Sequence, residues 1–479
     1  MSASTHQRKS CIIVFFVLIT SSIHPPISTA ADFDFSTAWQ TVLEKSNVLL
    51  AEQENIHHAE FQQQAYGDLY FPQINLNGGF LYLDDAIQLS PQDILGSMPA
   101  GDLIGAQLGF LMQNIGFSAE AIEHGLTSTL SDREIKSSSL SLLWPLYTGG
   151  RITAAQDIAE ASLAEARQQR ALKVYEQFET LCARYFAVVL VQQLLDTRTE
   201  VVESLTIHLK HAQLLVDNGQ IAEVERLQAE ASYDKALVER EKAENDLLIT
   251  RAALNSLLQE TLPVTPISPL FVNPQLPPLE GFVQKTLAGY PGLVILDAKE
   301  DIATGIVNAE TGKYYPELAL LGNYSLYEED NLASELKPDW FVGLAISVPL
   351  VDRSGRSGKR QAAKSLVSKV KALRNQARQD LSLLVEKNYR QAIQAIAEYN
   401  GLASSLRLAE KTLELRRKAF DQGLATSLDV VDARLYVAAV ETQRSHAAYT
   451  YVTKLAGILA ISGELNTFAS YQQMSSITQ

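Results

Sequence analysis

Four short stretches of the chain alternate apolar and polar positions with period two. In QINLNGGFLYL (residues 73–83), Ile74, Leu76, Phe80 and Tyr82 share one face, and Gln73, Asn75 and Asn77 share the other. In SSSLSLLWPL (residues 137–146), Leu140, Leu142, Trp144 and Leu146 alternate with Ser139, Ser141 and Leu143. Leu318, Leu320, Tyr324 and Leu326 then oppose Glu317, Asn323 and Ser325. Finally, Trp340, Val342, Leu344, Ile346 and Val348 oppose Gly343, Ala345 and Ser347. The pattern predicts strands over about 73–83, 137–147, 316–327 and 339–350. Each is roughly ten residues long, enough to cross a bilayer in a β-barrel. A soluble, half-buried sheet would show the same period.

Between the strand pairs the pattern changes to long runs without helix breakers. Residues 151–218 contain no Gly and no Pro, and are rich in Ala, Leu, Glu, Gln and Arg. Such a run predicts one helix of about 100 Å at ~1.5 Å per residue. A second unbroken run covers 220–262. Later in the chain, 359–400 and 424–456 repeat the arrangement, punctuated by Gly401, Gly423 and Gly457. Asp217-Asn218-Gly219 and Asp421-Gln422-Gly423 read as tight helix ends, so each pair of runs predicts an antiparallel hairpin.

The chain is written twice. LYFPQINLNGGF (69–80) returns as KYYPELALLGNY (313–324), WPLYTGGR (144–151) as VPLVDRSGR (348–356), and VDNGQIAEVERLQAEASYDKA (216–236) as FDQGLATSLDVVDARLYVAAV (420–440). The spacing of these landmarks places about forty extra residues in the first copy, within 84–134. The expected organisation is a first repeat over 32–262, a connector over 263–280, a second repeat over 281–465 and a tail over 466–479. The segment 261–280 holds six prolines and predicts an extended connector on the surface. Apolar residues in the insertion (Ile104, Leu108, Phe110, Leu111 and Ile115) suggest packing rather than disorder.

Composition narrows the function. There are 55 acids against 40 bases, a formal charge of −15, so the chain is a poor nucleic-acid binder. Arg8 and Lys9 precede the apolar run CIIVFFVLIT, followed by Pro25, Pro26 and the small residues STAA. Residues 1–31 therefore read as an export signal, with an apolar run of ten residues, too few to span a bilayer as a helix. Cys182 is the sole cysteine after it, and its apolar surroundings make it a buried thiol.

Candidate chemistry is sparse. Asp429 and Asp432 lie one turn apart just after Gly423. They could be an acid/base pair, part of a metal site, or helix-start acids with Thr426 or Ser427 as cap. His208 and His211 are three apart on a helix and could share a metal, but with no Cys, Asp or Glu in HLKHAQLL they read as two exposed surface histidines. SGRSGKR (354–360) lacks phosphate-loop spacing, so Arg353, Arg356, Lys359 and Arg360 read as flanking a membrane, with Arg151 their counterpart. No catalytic constellation, cofactor motif or metal set emerges. A soluble periplasmic coiled-coil adaptor or scaffold is the rival reading.

Taken together, the paired YFPQINLNGGF and YYPELALLGNYS, the turns PLYTGGRI and PLVDRSGRSGKR, and the stretch 423–465 resemble the TolC-like outer-membrane efflux family, the outer-membrane factors of drug-efflux and type I secretion systems. The resemblance covers about residues 33–465. It implies a mainly α chain with membrane β-strands, four per chain. Three chains would form a twelve-stranded barrel continued by an α-helical tunnel into the periplasm. It implies a homotrimer in outer-membrane lipid, partnered by a periplasmic adaptor and an inner-membrane transporter, with no enzymatic activity. It places a pore constriction at Asp429 and Asp432, with Glu225 and Gln228 at the matching positions of the first copy. Adaptor contacts would fall at the tips: Asn218, Gly219 and Gln220, with Gln422, Gly423 and Leu424. Some relatives carry an arginine near the tip where this chain has Ala425, so a latch through that residue does not carry over.

Overall fold

The computed structural model describes residues 31–99, 101–114, 127–328, 337–351 and 353–477. The expected export signal lies outside the described residues, apart from Ala31, and so does Ile115 of the insertion. The elements are β1 (Ala31–Phe33), α1 (Phe35–Lys45), α2 (Asn47–Gly67), β2 (Gln73–Tyr82), β3 (Ile87–Leu89), α3 (Pro91–Gly96), α4 (Gly101–Asn114), β4 (Ser128–Ser131) and β5 (Glu134–Tyr147). The first hairpin follows as α5 (Arg151–Asp217) and α6 (Glu223–Leu258), then β6 (Val264–Pro266). The second half contains α7 (Leu279–Gly289), α8 (Pro291–Gly312), β7 (Glu317–Glu328) and β8 (Trp340–Ser347). It ends in the hairpin α9 (Arg356–Asp421) and α10 (Ser427–Ser462), and then α11 (Phe468–Ile477).

The longest breaker-free run becomes the 67-residue α5. Its counterpart α9 has 66 residues because it continues straight through Gly401, where the sequence marks a break. An interior glycine costs about 1 kcal/mol relative to alanine, too little to stop a helix packed along its length. In α10, Gly457 faces Asn388 of α9, where a β-carbon would meet the amide nitrogen at 3.1 Å. The missing side chain lets the two helices approach closely.

The four predicted strands form one antiparallel sheet in the order β2-β5-β7-β8. The registers align the alternating faces across all four strands. Ile74 lies opposite Leu142, Leu142 opposite Gly322, and Gly322 opposite Val342. On the other face, Asn75, Ser141 and Asn323 stand in line, and Asn77 Nδ2 donates to Ser141 Oγ at 2.9 Å. The apolar side is exposed at Ile74, Leu76, Phe80, Trp340, Leu344 and Ile346. Among the described residues, the outer strands β2 and β8 have no further strand beside them.

The core gathers where the helix bundle meets α1 and the connector after α6. Phe35, Phe178, Tyr185, Phe186, Phe271, Tyr451 and Phe468 are buried together. The reading of 261–280 as a surface segment holds for Pro263, Pro269, Pro274, Pro277 and Pro278, which are exposed, and is corrected for side chains between them. β6 pairs in parallel with β1, and Val264, Ser268, Phe271 and Asn273 are buried. The prolines keep the segment extended, yet its apolar side chains fill the space between the two repeats. Tyr185 fastens it: its hydroxyl donates to the Phe33 carbonyl at 2.7 Å and accepts from Ser268 N at 2.9 Å. Tyr185→Phe leaves a buried N–H without a partner and is expected to destabilise the fold by about 1–3 kcal/mol. A lower midpoint of thermal unfolding checks this, and an unchanged midpoint would remove the hydroxyl's role. Cys182 lies in the same core with its Sγ 3.8 Å from the Val452 carbonyl, and burial holds its thiol well above the ordinary range.

The insertion extends the β2–β5 pair as a ribbon, β3 against β4, and carries α3 and α4. Ile104, Leu108, Phe110 and Leu111, read as packing residues, are exposed on α4. The helix instead packs through its small side, where Gly105 faces the Leu95 side chain.

Candidate functional site: the joined hairpin tips

Both hairpins turn at the same end. Gly219 and Gly423 each adopt φ +69°, the left-handed conformation that lets a helix stop within one residue. Asn218 folds back on its own helix, its amide donating to the Leu214 carbonyl at 2.8 Å. Gln220, Gln422 and Leu424 are exposed beyond the last turns, with Leu424 the most exposed apolar side chain of the two tips.

The second tip restarts as a helix through a capping box. Thr426 Oγ1 accepts from Asp429 N at 3.2 Å, and Asp429 Oδ2 accepts from Thr426 N at 2.9 Å and from its hydroxyl at 2.7 Å. The other carboxylate oxygen meets Arg416 Nη1 at 3.2 Å. The Thr426 hydroxyl and backbone N–H, with a smaller contribution from Arg416, hold the Asp429 carboxyl below its usual range. Of the alternatives open for Asp429, the capping arrangement is the one seen. Asp432 points elsewhere. It is exposed and lines a groove of about 670 Å3 between α5, α6 and α10, with Arg198, Lys235 and Glu239 on the same walls.

Glu225 does not stand free at the matching position of the first copy. Its Oε2 accepts from Ser427 N at 2.8 Å, joining α6 to the start of α10. Gln228 lies one turn further along α6, exposed. Ser427 is fully buried and its Oγ lies 2.6 Å from His208 Nε2 on α5. His208 is 7% exposed, which corrects the reading of two surface histidines. Burial, then the neighbouring His211 and Arg417, lower its pKa to about 4, against the opposing pull of Asp421 and Glu225. Phe420 of α9 covers the ring, its centroid 4.7 Å away. His211 remains partly exposed and approaches Asp421 Oδ1 at 3.3 Å. Two further links cross between hairpins: Arg417 donates to Ser204, and buried Arg434 donates to Glu200 at 3.1 Å.

The four helix ends are thus tied together by hydrogen bonds within a few turns of the tips. A signal for His208 was present in the sequence. Val201, Leu205, His208 and Ala212 recur at spacings of four, three and four, the stripe of a packed helix seam, and all are buried. Arg434 sits among apolar neighbours of α10 and carries no such cue, because its acid lies 234 residues away. Among the described residues, no three His, Cys, Asp or Glu side chains are arranged to hold a metal. The arrangement holds the two hairpins in one relative position. The Ser427 hydroxyl beside His208 is fully buried, so the pair is shut off from any substrate in this arrangement.

The family model described as "Outer membrane efflux protein" matches residues 104–259 and 282–464. Alkaline protease secretion protein AprF of Pseudomonas aeruginosa is 26% identical over 343 residues, which is 70% of this chain but 64% of AprF. The fold is similar to that of CusC, with TM-score 0.73 and 13% identity over 89% of this chain and 91% of that one. It is also similar to VceC of Vibrio cholerae, with TM-score 0.70 and 14% identity over 90% and 96%.

Proposed function

This chain belongs to the outer membrane efflux protein family, and we propose on that basis that it is the exit duct of an efflux or type I secretion system. The carrying observation is the sheet. One face is apolar and exposed, the other carries Asn75, Asn77, Ser139, Ser141 and Asn323 among fewer apolar residues such as Leu143 and Phe341, and among the described residues both edges are open. Open edges are not tolerated in lipid, where every backbone N–H and C=O must be satisfied. Alternation within the sheet makes β8 antiparallel to β2, so β8 of one copy fits beside β2 of the next. Three copies close a twelve-stranded barrel whose apolar face meets outer-membrane lipid. Twelve strands leave room for a duct, whereas eight would be filled by their own side chains.

Each copy adds four long helices on the same side of the barrel: α5 and α9, of 67 and 66 residues, reach about 100 Å at ~1.5 Å per residue, and α6 and α10, of 36 residues each, about half that. These form the periplasmic tunnel, which narrows at the joined tips. Asp432 supplies the acidic ring there, while Asp429 and Glu225 hold the helix ends that carry it. A periplasmic adaptor docks at Asn218, Gly219 and Gln220 and at Gln422, Gly423 and Leu424. The adaptor links the duct to an inner-membrane transporter that supplies the energy.

The purified chain is expected to require detergent, to run as a trimer by light scattering, and to form channels in planar bilayers. A detergent-free, water-soluble chain would support the coiled-coil adaptor or scaffold reading and sink the duct.

A further inference from the structure

The turn from β8 into α9 carries a patch that the duct does not use. In sequence, Val348 and Leu350 continue the apolar face of β8 beyond Ser347. Leu350 and Val351 are 84% and 95% exposed, and they lie side by side. Directly after them come Arg353, Arg356, Lys359, Arg360 and Lys364, and Asp352 is the one acid from Val348 up to Asp380. Among the described residues, no carboxylate pairs with Arg353, Lys359 or Arg360.

Helix stability does not account for these cations. The first turn of α9 has no acid, and positive charge at a helix N-terminus opposes the macrodipole. Nor does the duplication account for them. In the first copy α5 starts at Arg151, which pairs with Glu317 at 2.6 Å, and Asp157, Glu160 and Glu165 follow.

The turn is held in shape. Arg356 Nη1 donates to the carbonyls of Lys313 at 3.1 Å and Pro349 at 3.0 Å. Its guanidinium lies 4.8 Å from the Tyr314 ring centroid, and that of Arg360 lies 5.0 Å from the same ring. Leu350 and Val351 therefore project from a pinned turn, with the cations beside them on the helix side of the sheet.

We propose that this turn binds an anionic glycerophospholipid of the leaflet facing the helices. Leu350 and Val351 enter the acyl region, and Arg353, Lys359 and Arg360 hold the phosphate. The apolar knuckle is continuous with the lipid-facing side of the sheet, and the charge beside it complements the headgroup. The proposal rests on the membrane reading of the sheet. Each basic residue near an anionic surface contributes about fivefold in affinity.

Native mass spectrometry of the full chain in detergent, titrated with phosphatidylglycerol or phosphatidylethanolamine, tests it. Phosphatidylglycerol is expected to bind at least tenfold tighter. The variant Arg353→Gln/Lys359→Gln/Arg360→Gln should weaken it on the order of a hundredfold, while Arg353→Lys/Arg360→Lys should preserve most of the affinity. Equal affinity for the two lipids, or an unchanged triple variant, overturns the proposal with the membrane reading intact. If Leu350→Ser/Val351→Ser breaks the oligomer and leaves lipid binding unchanged, a second copy covers the turn and the proposal falls. A chain that binds neither lipid and needs no detergent overturns the membrane reading as well.

Discussion

Acidification from pH 7.5 to pH 5 is expected to loosen the joint between the hairpins and raise the open probability of the channel. The group responsible is His208. Its pKa is lowered to about 4 in the joined state, so it is neutral there. Once the hairpins part, the ring meets water and returns towards the ordinary value near 6.5. The parted state therefore binds more protons between these values, and the joint is weakened as pH falls from about 6.5 towards about 4. After allowance for solvent screening, the effect is roughly 1–2 kcal/mol per chain at pH 5, about tenfold in the opening equilibrium. The groups around the ring are His211 on α5, Glu225 on α6, and Arg417 and Asp421 on α9. The contact between His211 and Asp421 is exposed and contributes little. Planar-bilayer recordings across this pH range check the prediction. His208→Gln, which can still hydrogen-bond Ser427 but does not titrate, should flatten the profile. A profile that persists in His208→Gln would assign the pH response to another group.

Asp432→Asn is expected to weaken block of the channel by divalent or trivalent cations at least tenfold. In the proposed trimer three Asp432 carboxylates share the narrow end. Crowded like charges bind multivalent cations well, because each cation relieves several repulsions at once. Asp429→Asn should change block less. Its carboxylate is already engaged by Thr426 and Arg416, so its main loss is at the helix start. Combining Asp429→Ala with Asp432→Ala should therefore exceed Asp432→Ala only slightly in block. Unchanged block in the double variant would remove the acidic ring from the mechanism.

Much of this architecture can be read directly from residues. The breaker-free run 151–218 foretells α5 to within one residue, because helix propensity and the lack of Gly and Pro act locally. The alternation in 73–83 foretells β2 for the same reason. Gly401 misleads because a local penalty is overridden by packing along the whole helix. The connector misleads because prolines report backbone shape and say nothing of what covers the side chains.

The site divides in the same way. The spacing of Thr426 and Asp429 encodes their capping box, since both partners lie in one turn. The roles of Glu225, His208 and Arg434 are not local: their partners Ser427 and Glu200 are 202, 219 and 234 residues distant. By itself the sequence determined the duplicated order, the extent of α5, the two-faced strands and the helix caps. Each of these follows from the periodicity and conformational preferences of a short stretch. Only the tertiary structure decided which strand edges stay open, which carboxylates are already bound and which histidine is buried. Those outcomes depend on which faces of distant helices and strands meet, and a periodic pattern marks a face without naming its partner.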